Sequence, residues 1–115
     1  MEITIVKAVG KRCLIQTVGQ RIYDQVLPVL EDNGTVTLDF AGVEMFASPF
    51  FNAAVGQLFK HFSKEDLEKR LHIKNLSETG LTVLQRVAEN AAVYYKNKDY
   101  QKIVDELLAE QVSGA

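Results

Sequence analysis

The sequence predicts an α/β domain: a four- to five-stranded mixed sheet with three helices, plus a further helix appended at the C-terminus. Three observations carry this expectation. Short β-branched segments with period-two alternation, such as Glu2 to Ala8 and Leu71 to Asn75, read as strands. Segments with apolar residues three and four apart, such as Ile22, Val26, Val29 and Leu30, read as helices. The two kinds alternate along the chain, which places parallel strands side by side through right-handed crossovers.

Each element has its own local cause. Glu2-Ile3-Thr4-Ile5-Val6-Lys7-Ala8 alternates, with Ile3 and Ile5 expected inward. Lys11 to Gln16 holds Cys13, Leu14 and Ile15, which either form a second short strand or line the first helix. Thr17-Val18-Gly19-Gln20 has the form of a capping box and predicts that helix's start. Pro28 lies inside the helical pattern and predicts a kink or an early break, and Asn33-Gly34 tolerates the left-handed backbone that ends a helix. Thr35 to Phe40 is near-continuously apolar or β-branched, as a central strand covered on both faces would be. Ala41-Gly42 makes a turn, Val43 to Phe46 is a short apolar run, and Pro49 to Phe62 carries Phe51, Val55, Leu58 and Phe62 at helical spacing. Leu71 to Asn75 is a further strand. Leu81, Leu84, Val87, Ala88 and Ala91 mark a helix opened by Asn75 or Ser77. Asp99 can cap a last helix with Tyr100, Ile103, Val104, Leu107 and Leu108 on one side. Lys96-Asn97-Lys98 reads as a linker, so the expected division is a domain over residues 1–95 and a helical extension over 96–115.

Composition narrows the class of function. At 115 residues and 47% hydrophobic, the chain fits one core and no second domain. Thirteen basic against fifteen acidic residues leave a net charge of -2, without the basic stripe of a nucleic-acid binder. The single Cys13 precludes an internal disulfide and a cysteine-rich zinc site, and fits a reducing, cytoplasmic compartment. No run approaches the ~18 apolar residues of a membrane span, and the N-terminus lacks the zones of a signal peptide. His61 and His72 stand apart from each other and from cysteine, so no metal site is expected. No cofactor motif is present.

One segment can carry function. Leu38-Asp39-Phe40-Ala41-Gly42-Val43-Glu44-Met45-Phe46-Ala47-Ser48-Pro49-Phe50-Phe51 reads as strand, turn, apolar run and helix start. Ser48 before Pro49 is the expected N-cap, with proline at the first helical position. Phe50 and Phe51 are consecutive, so one of them is expected to face solvent and mark a partner interface. The mixed charges of Lys60, Lys64, Glu65, Asp66, Glu68, Lys69 and Arg70 read as a solvated helix end and loop without a role.

This stretch resembles the central segment of STAS domains, the fold of bacterial anti-sigma-factor antagonists, and the similarity extends over about Thr17 to Ala92. Closer still is a STAS-like group of small bacterial proteins of uncharacterised function, to which Ser48-Pro49-Phe50-Phe51 and Asn75-Leu76-Ser77 are similar. Ser48 falls on the serine that a partner kinase phosphorylates in STAS domains. Ala47 stands where those proteins have an acidic residue, Pro49 where they have a second hydroxyl, and Phe50-Phe51 where they have Gly-Leu. The resemblance implies a non-enzymatic regulatory module that binds a protein partner, such as an anti-sigma-type kinase or another signalling protein. It makes Ser48 the candidate phosphoacceptor, with Glu44 and Ala47, Ser48, Pro49, Phe50, Phe51 and Asn52 as the partner surface. No catalytic residue, nucleic acid or membrane enters this expectation. Two alternatives stay open: a structural subunit that homodimerises through the C-terminal helix, and a small serine-dependent hydrolase using Ser48.

Overall fold

A computed structural model describes residues 1–96. The helix expected from Tyr100 lies outside the described residues. The elements run β1 (Glu2–Thr4), α1 (Ile5–Val9), β2 (Arg12–Cys13), α2 (Gln16–Glu31), β3 (Val36–Asp39), β4 (Met45–Phe46), α3 (Ser48–Ala54), a 3-10 helix (Gly56–Lys60), α4 (Lys64–Arg70), β5 (Leu71–Lys74) and α5 (Glu78–Lys96). No helix among them is long and apolar enough to cross a membrane.

The α/β class holds, but the single mixed sheet does not. β1, β3 and β5 form a three-stranded sheet with β3 in the centre, while β2 and β4 pair separately. Every pair is parallel. At least one helix lies between the members of each pair, which is the connection that parallel pairing requires. The first strand is shorter than the alternation predicts. β1 pairs through Thr4↔Asp39, where β3 also ends. Beyond Thr4 no neighbour remains, so Ile5 to Val9 satisfies its backbone as a short helix that stops at Gly10, whose φ is +94°. Ile3 and Ile5 are nevertheless both buried, as expected.

β3 is central, but only one of its faces is fully covered. Val36 and Leu38 are buried and Thr37 and Asp39 are half-exposed, the alternation of a half-buried strand. α2 begins at Gln16 with Ile15 at the N-cap, so Thr17 lies inside the helix and makes no capping box. Pro28 causes no break, because it falls within the last turn and the helix continues to Glu31. The stop is a Schellman motif: Asn33, at φ +61°, donates to the Leu30 carbonyl, and Gly34 donates to Val29. Pro49 to Phe62 is not one helix. α3 ends at Ala54 and the chain tightens into the 3-10 turn at Gly56, a poor helix former.

The charged stretch after Phe62 is a helix with a role. Ser63 caps α4 by accepting from the Asp66 amide, an arrangement that stabilises it by about 1 kcal/mol. Arg70 donates to the carbonyls of Gly34 and Leu30 and pairs with Asp66 at 2.9 Å. Its guanidinium also lies over the Phe62 ring. Arg70 therefore ties α4 to the C-terminal end of α2. Ser77 opens α5 by accepting from the Gly80 amide, the second of the two expected caps.

α2 and α3 pack most closely at Gly19. A methyl group there would overlap the Phe50 carbonyl oxygen and lie 2.9 Å from the Ala53 Cβ. The obstacle is backbone, which cannot rotate aside. Gly19→Ala is accordingly expected to lower the unfolding free energy by at least about 2 kcal/mol in urea titration, despite alanine's higher helix propensity. A neutral or stabilising result would contradict this packing.

Candidate functional site

The site is built on the small β2–β4 ribbon, which feeds two helices directly. Its register pairs Arg12 with Met45 and Cys13 with Phe46. The Ala47 amide donates to the Cys13 carbonyl, carrying the pairing one residue further. One more step along each chain stand Ile15 and Ser48, immediately before and at the first residues of α2 and α3.

Ser48 is not the N-cap. That position belongs to Ala47, whose extended backbone (φ -149°, ψ 160°) precedes the helix and whose carbonyl accepts from Phe50 and Phe51. The Ala47 amide is held by β2, which sets where the strand ends and hence where α3 starts. No side chain caps α3, and Pro49 occupies the second helical position. Ser48 is exposed, with Pro49 and Asn52 beside it on the same helix start.

Phe50 and Phe51 are both fully buried, which overturns the expectation that one of them faces solvent. A helix packed on one side only would bury one of two consecutive residues. α3 instead lies between α2 and α5 and over the end of β3, so an arc wider than one side is covered. Phe51 contacts the rings of Phe40 at 5.9 Å, Phe46 at 6.1 Å and Phe50 at 5.4 Å, and Phe40 meets Phe50 edge-on. Each such pair adds about 0.5–1.5 kcal/mol beyond the area it buries. These two residues hold the surface in place and are not part of it.

What the surface presents instead is Glu44, Met45, Ser48, Pro49 and Asn52, with Ala47 half-buried among them. Glu44 pairs loosely with Lys11, 3.7 Å apart with both side chains well exposed, a contact of little energetic weight. The sequence reading missed the apolar contributors. Ile15 is 57% exposed and Met45 48% exposed, on the two chains of the ribbon that leads to Ser48. Their signal is the β2–β4 pairing, which Lys11 to Gln16, readable as a short strand or as residues lining the first helix, does not announce. Beside them a recess of about 440 Å³ opens between Gln16, Pro49, Asn52, Gln57, Lys60 and Tyr95. Gln57 is fixed there by donating to Gln20 and to the Ala53 carbonyl.

The other singled-out residues sit elsewhere. His61 shares a hydrogen bond with Tyr23, 3.2 Å apart, and His72 is exposed on β5. Among the described residues no three of His, Cys, Asp and Glu converge on one point. Cys13 is buried, and desolvation pushes its thiol up to about 11. Asp39 ends β3 and accepts from the Asn75 side chain and the Ala41 amide, both at 2.9 Å. These bonds, the Asn75 one foremost, hold its carboxyl below the usual range, with a smaller contribution from Lys74.

That shift sets a sign. The native state binds the Asp39 proton less readily than the unfolded chain, so the bonds add stability above the unfolded pKa and lose it as pH falls through the native one. In an NMR titration the Asp39 carboxyl is expected to titrate below an ordinary aspartate, and Asn75→Ala to move it upward. An unchanged midpoint in Asn75→Ala would show that the side-chain bond does not govern it.

No curated protein and no solved structure matches the chain. A family model does match, over residues 18–81, more than half of the sequence. The matched region runs from α2 into the start of α5 and so contains β3, β4, α3 and β5, the frame on which Ser48 is displayed. The family is described as a STAS-like domain of unknown function (DUF4325), and this chain belongs to it.

Proposed function

We propose that this domain is a non-enzymatic, cytoplasmic regulatory module that binds a protein partner through the exposed side of the β2–β4 ribbon and the start of α3. The observation that carries the reading is the exposure of Ile15 and Met45 on the ribbon that ends at Ser48. Each is a large apolar side chain left in water near a polar helix start, an exposed group that a partner can cover. About half of each is already covered, so burying the rest can contribute about half of the roughly 1.5–3 kcal/mol that full burial of such a side chain is worth. Membership of the STAS-like family supports a regulatory role without naming a partner.

Ser48 is the candidate phosphoacceptor of this reading, and the partner an anti-sigma-type kinase or another signalling protein. Its hydroxyl is exposed on the first residue of α3 and reachable without unfolding. A phosphoryl group there adds about -1.5 to -2 charge next to the apolar pair. That charge must stay hydrated, which opposes burying Ile15 and Met45 against a partner. Phosphorylation would then release the partner.

Two measurements test this. Ile15→Asp with Met45→Asp is expected to abolish recovery of the partner from the native host while leaving the thermal midpoint within a few degrees of wild type, since both residues are exposed. Undiminished recovery would remove this surface from consideration. Phe50→Asp is unsuitable for the purpose, because it places a charge in the core and unfolds the domain. Mass spectrometry of protein purified from its host is expected to find one phosphoryl group, mapping to Ser48 and absent in Ser48→Ala. A protein found unmodified under all growth conditions would leave Ser48 without this role.

A further inference from the structure

The turn that ends α2 makes two separate demands on the sequence. Asn33 sits at φ +61°, a left-handed conformation that asparagine tolerates better than most residues bearing a side chain. Gly34 packs directly on Val29: a methyl group there would lie 2.7 Å from the Val29 Cγ1 and 2.9 Å from its carbonyl oxygen. Together the demands write Asn-Gly, the one such dipeptide in the chain. It is also the dipeptide most prone to spontaneous loss of the asparagine amide, because glycine has no Cβ to hinder its backbone nitrogen. Asn33 is exposed, so water and base reach its side chain.

The same turn holds the attacking nitrogen away. Reaction requires the Gly34 amide to give up its proton and swing onto the Asn33 Cγ. In the fold this amide donates to the Val29 carbonyl at 2.9 Å, and the Asn33 amide donates to the Leu30 carbonyl at 3.1 Å. Arg70 fixes the far side of Gly34, since its Nε donates to the Gly34 carbonyl at 3.3 Å and its Nη2 to the Leu30 carbonyl. Asp66, 2.9 Å away, keeps the guanidinium in place. Asn75 has the same left-handed backbone, but Leu76 follows it and its side-chain amide donates to Asp39.

We propose that Asn33 is a deamidation site gated by the Arg70 clamp, unreactive in the closed turn and reactive when the end of α2 opens. In the open turn the Gly34 nitrogen gives its proton to solvent base and bonds to the Asn33 Cγ. The Cγ–Nδ2 bond breaks, and Nδ2 takes up a proton and leaves as ammonia. Water then adds to one carbonyl of the succinimide and breaks that carbon's bond to the ring nitrogen, giving aspartate or isoaspartate. Isoaspartate places an additional methylene in the backbone between residues 33 and 34, which moves the Gly34 amide off the Val29 carbonyl. The turn then cannot reclose as before, so the modification is a lasting record of the opening.

Peptide mapping by mass spectrometry, on the full chain kept in mildly alkaline buffer, tests the gate. Asn33 in the folded protein is expected to deamidate at least about tenfold more slowly than in the same chain unfolded in urea. Arg70→Ala is expected to raise the folded rate at least about threefold and to speed hydrogen exchange at the Gly34 amide, while the Leu38 amide of β3 keeps its rate. Arg70→Lys, which keeps the charge but cannot fork onto two carbonyls, takes its place if Arg70→Ala loosens β3. Equal rates in the folded and unfolded chains would overturn the proposal, as would an Asn33 that stays intact in urea. Folded rates unchanged in both Arg70 variants would also overturn it and assign the protection to the Val29 bond alone.

Discussion

The arrangement depends on one close approach, that of α2 to α3 at Gly19. With no side chain at that position, the helix backbone comes against the Phe50 carbonyl and the Ala53 methyl. Two consequences follow. The two helices start side by side from the paired strands β2 and β4, which puts Ile15 and Ser48 at neighbouring positions on one ribbon. α3 is also held firmly enough between α2 and α5 to bury two consecutive phenylalanines. A larger residue at position 19 would open this contact and loosen the aromatic cluster of Phe40, Phe46, Phe50 and Phe51 with it. The display of Ser48 is thus a product of packing beneath it.

Around this contact, polar groups close the ends that apolar packing leaves open. Arg70 reaches from α4 to the Leu30 carbonyl of α2, which it shares with the Asn33 amide of the Schellman turn, and to the Gly34 carbonyl just beyond. Asp39 joins the end of the central strand to the turn after it and to Asn75 after β5, so the loops at that edge of the sheet are tied through one carboxylate. Both devices use residues that look unremarkable in sequence. A run of mixed charge and an isolated aspartate acquire their roles only when a distant carbonyl or amide is brought to them.

The candidate site divides along the same line. Of the seven residues named as its surface, Phe50 and Phe51 belong to the core, while Glu44, Ser48, Pro49 and Asn52 are exposed and Ala47 is half-buried. Helical periodicity counts one covered side, and a helix enclosed by two neighbours and a strand end does not obey that count. Ile15 and Met45 were missed for the complementary reason: a two-residue strand is too short to announce itself, and its pairing partner lies 33 positions further along the chain. Ser48 was found because serine before proline is a local signal, although the strand pairing of Ala47 moved the cap one residue back.

By itself the sequence determined what depends on near neighbours: the β-branched run that makes β3 a strand, the spacing that makes α2 and α5 helices and the Asn33-Gly34 stop. It also carried the STAS-like membership, through the pattern from α2 to the start of α5. Only the tertiary structure decided which strands pair, where β1 gives way to a helix, and which faces of α3 meet water. Strand pairing and burial join residues tens of positions apart, and their energies come from groups that a local pattern does not contain. Ser48 was legible because its signal is local; the apolar ground on which it stands became visible only once β2 found β4.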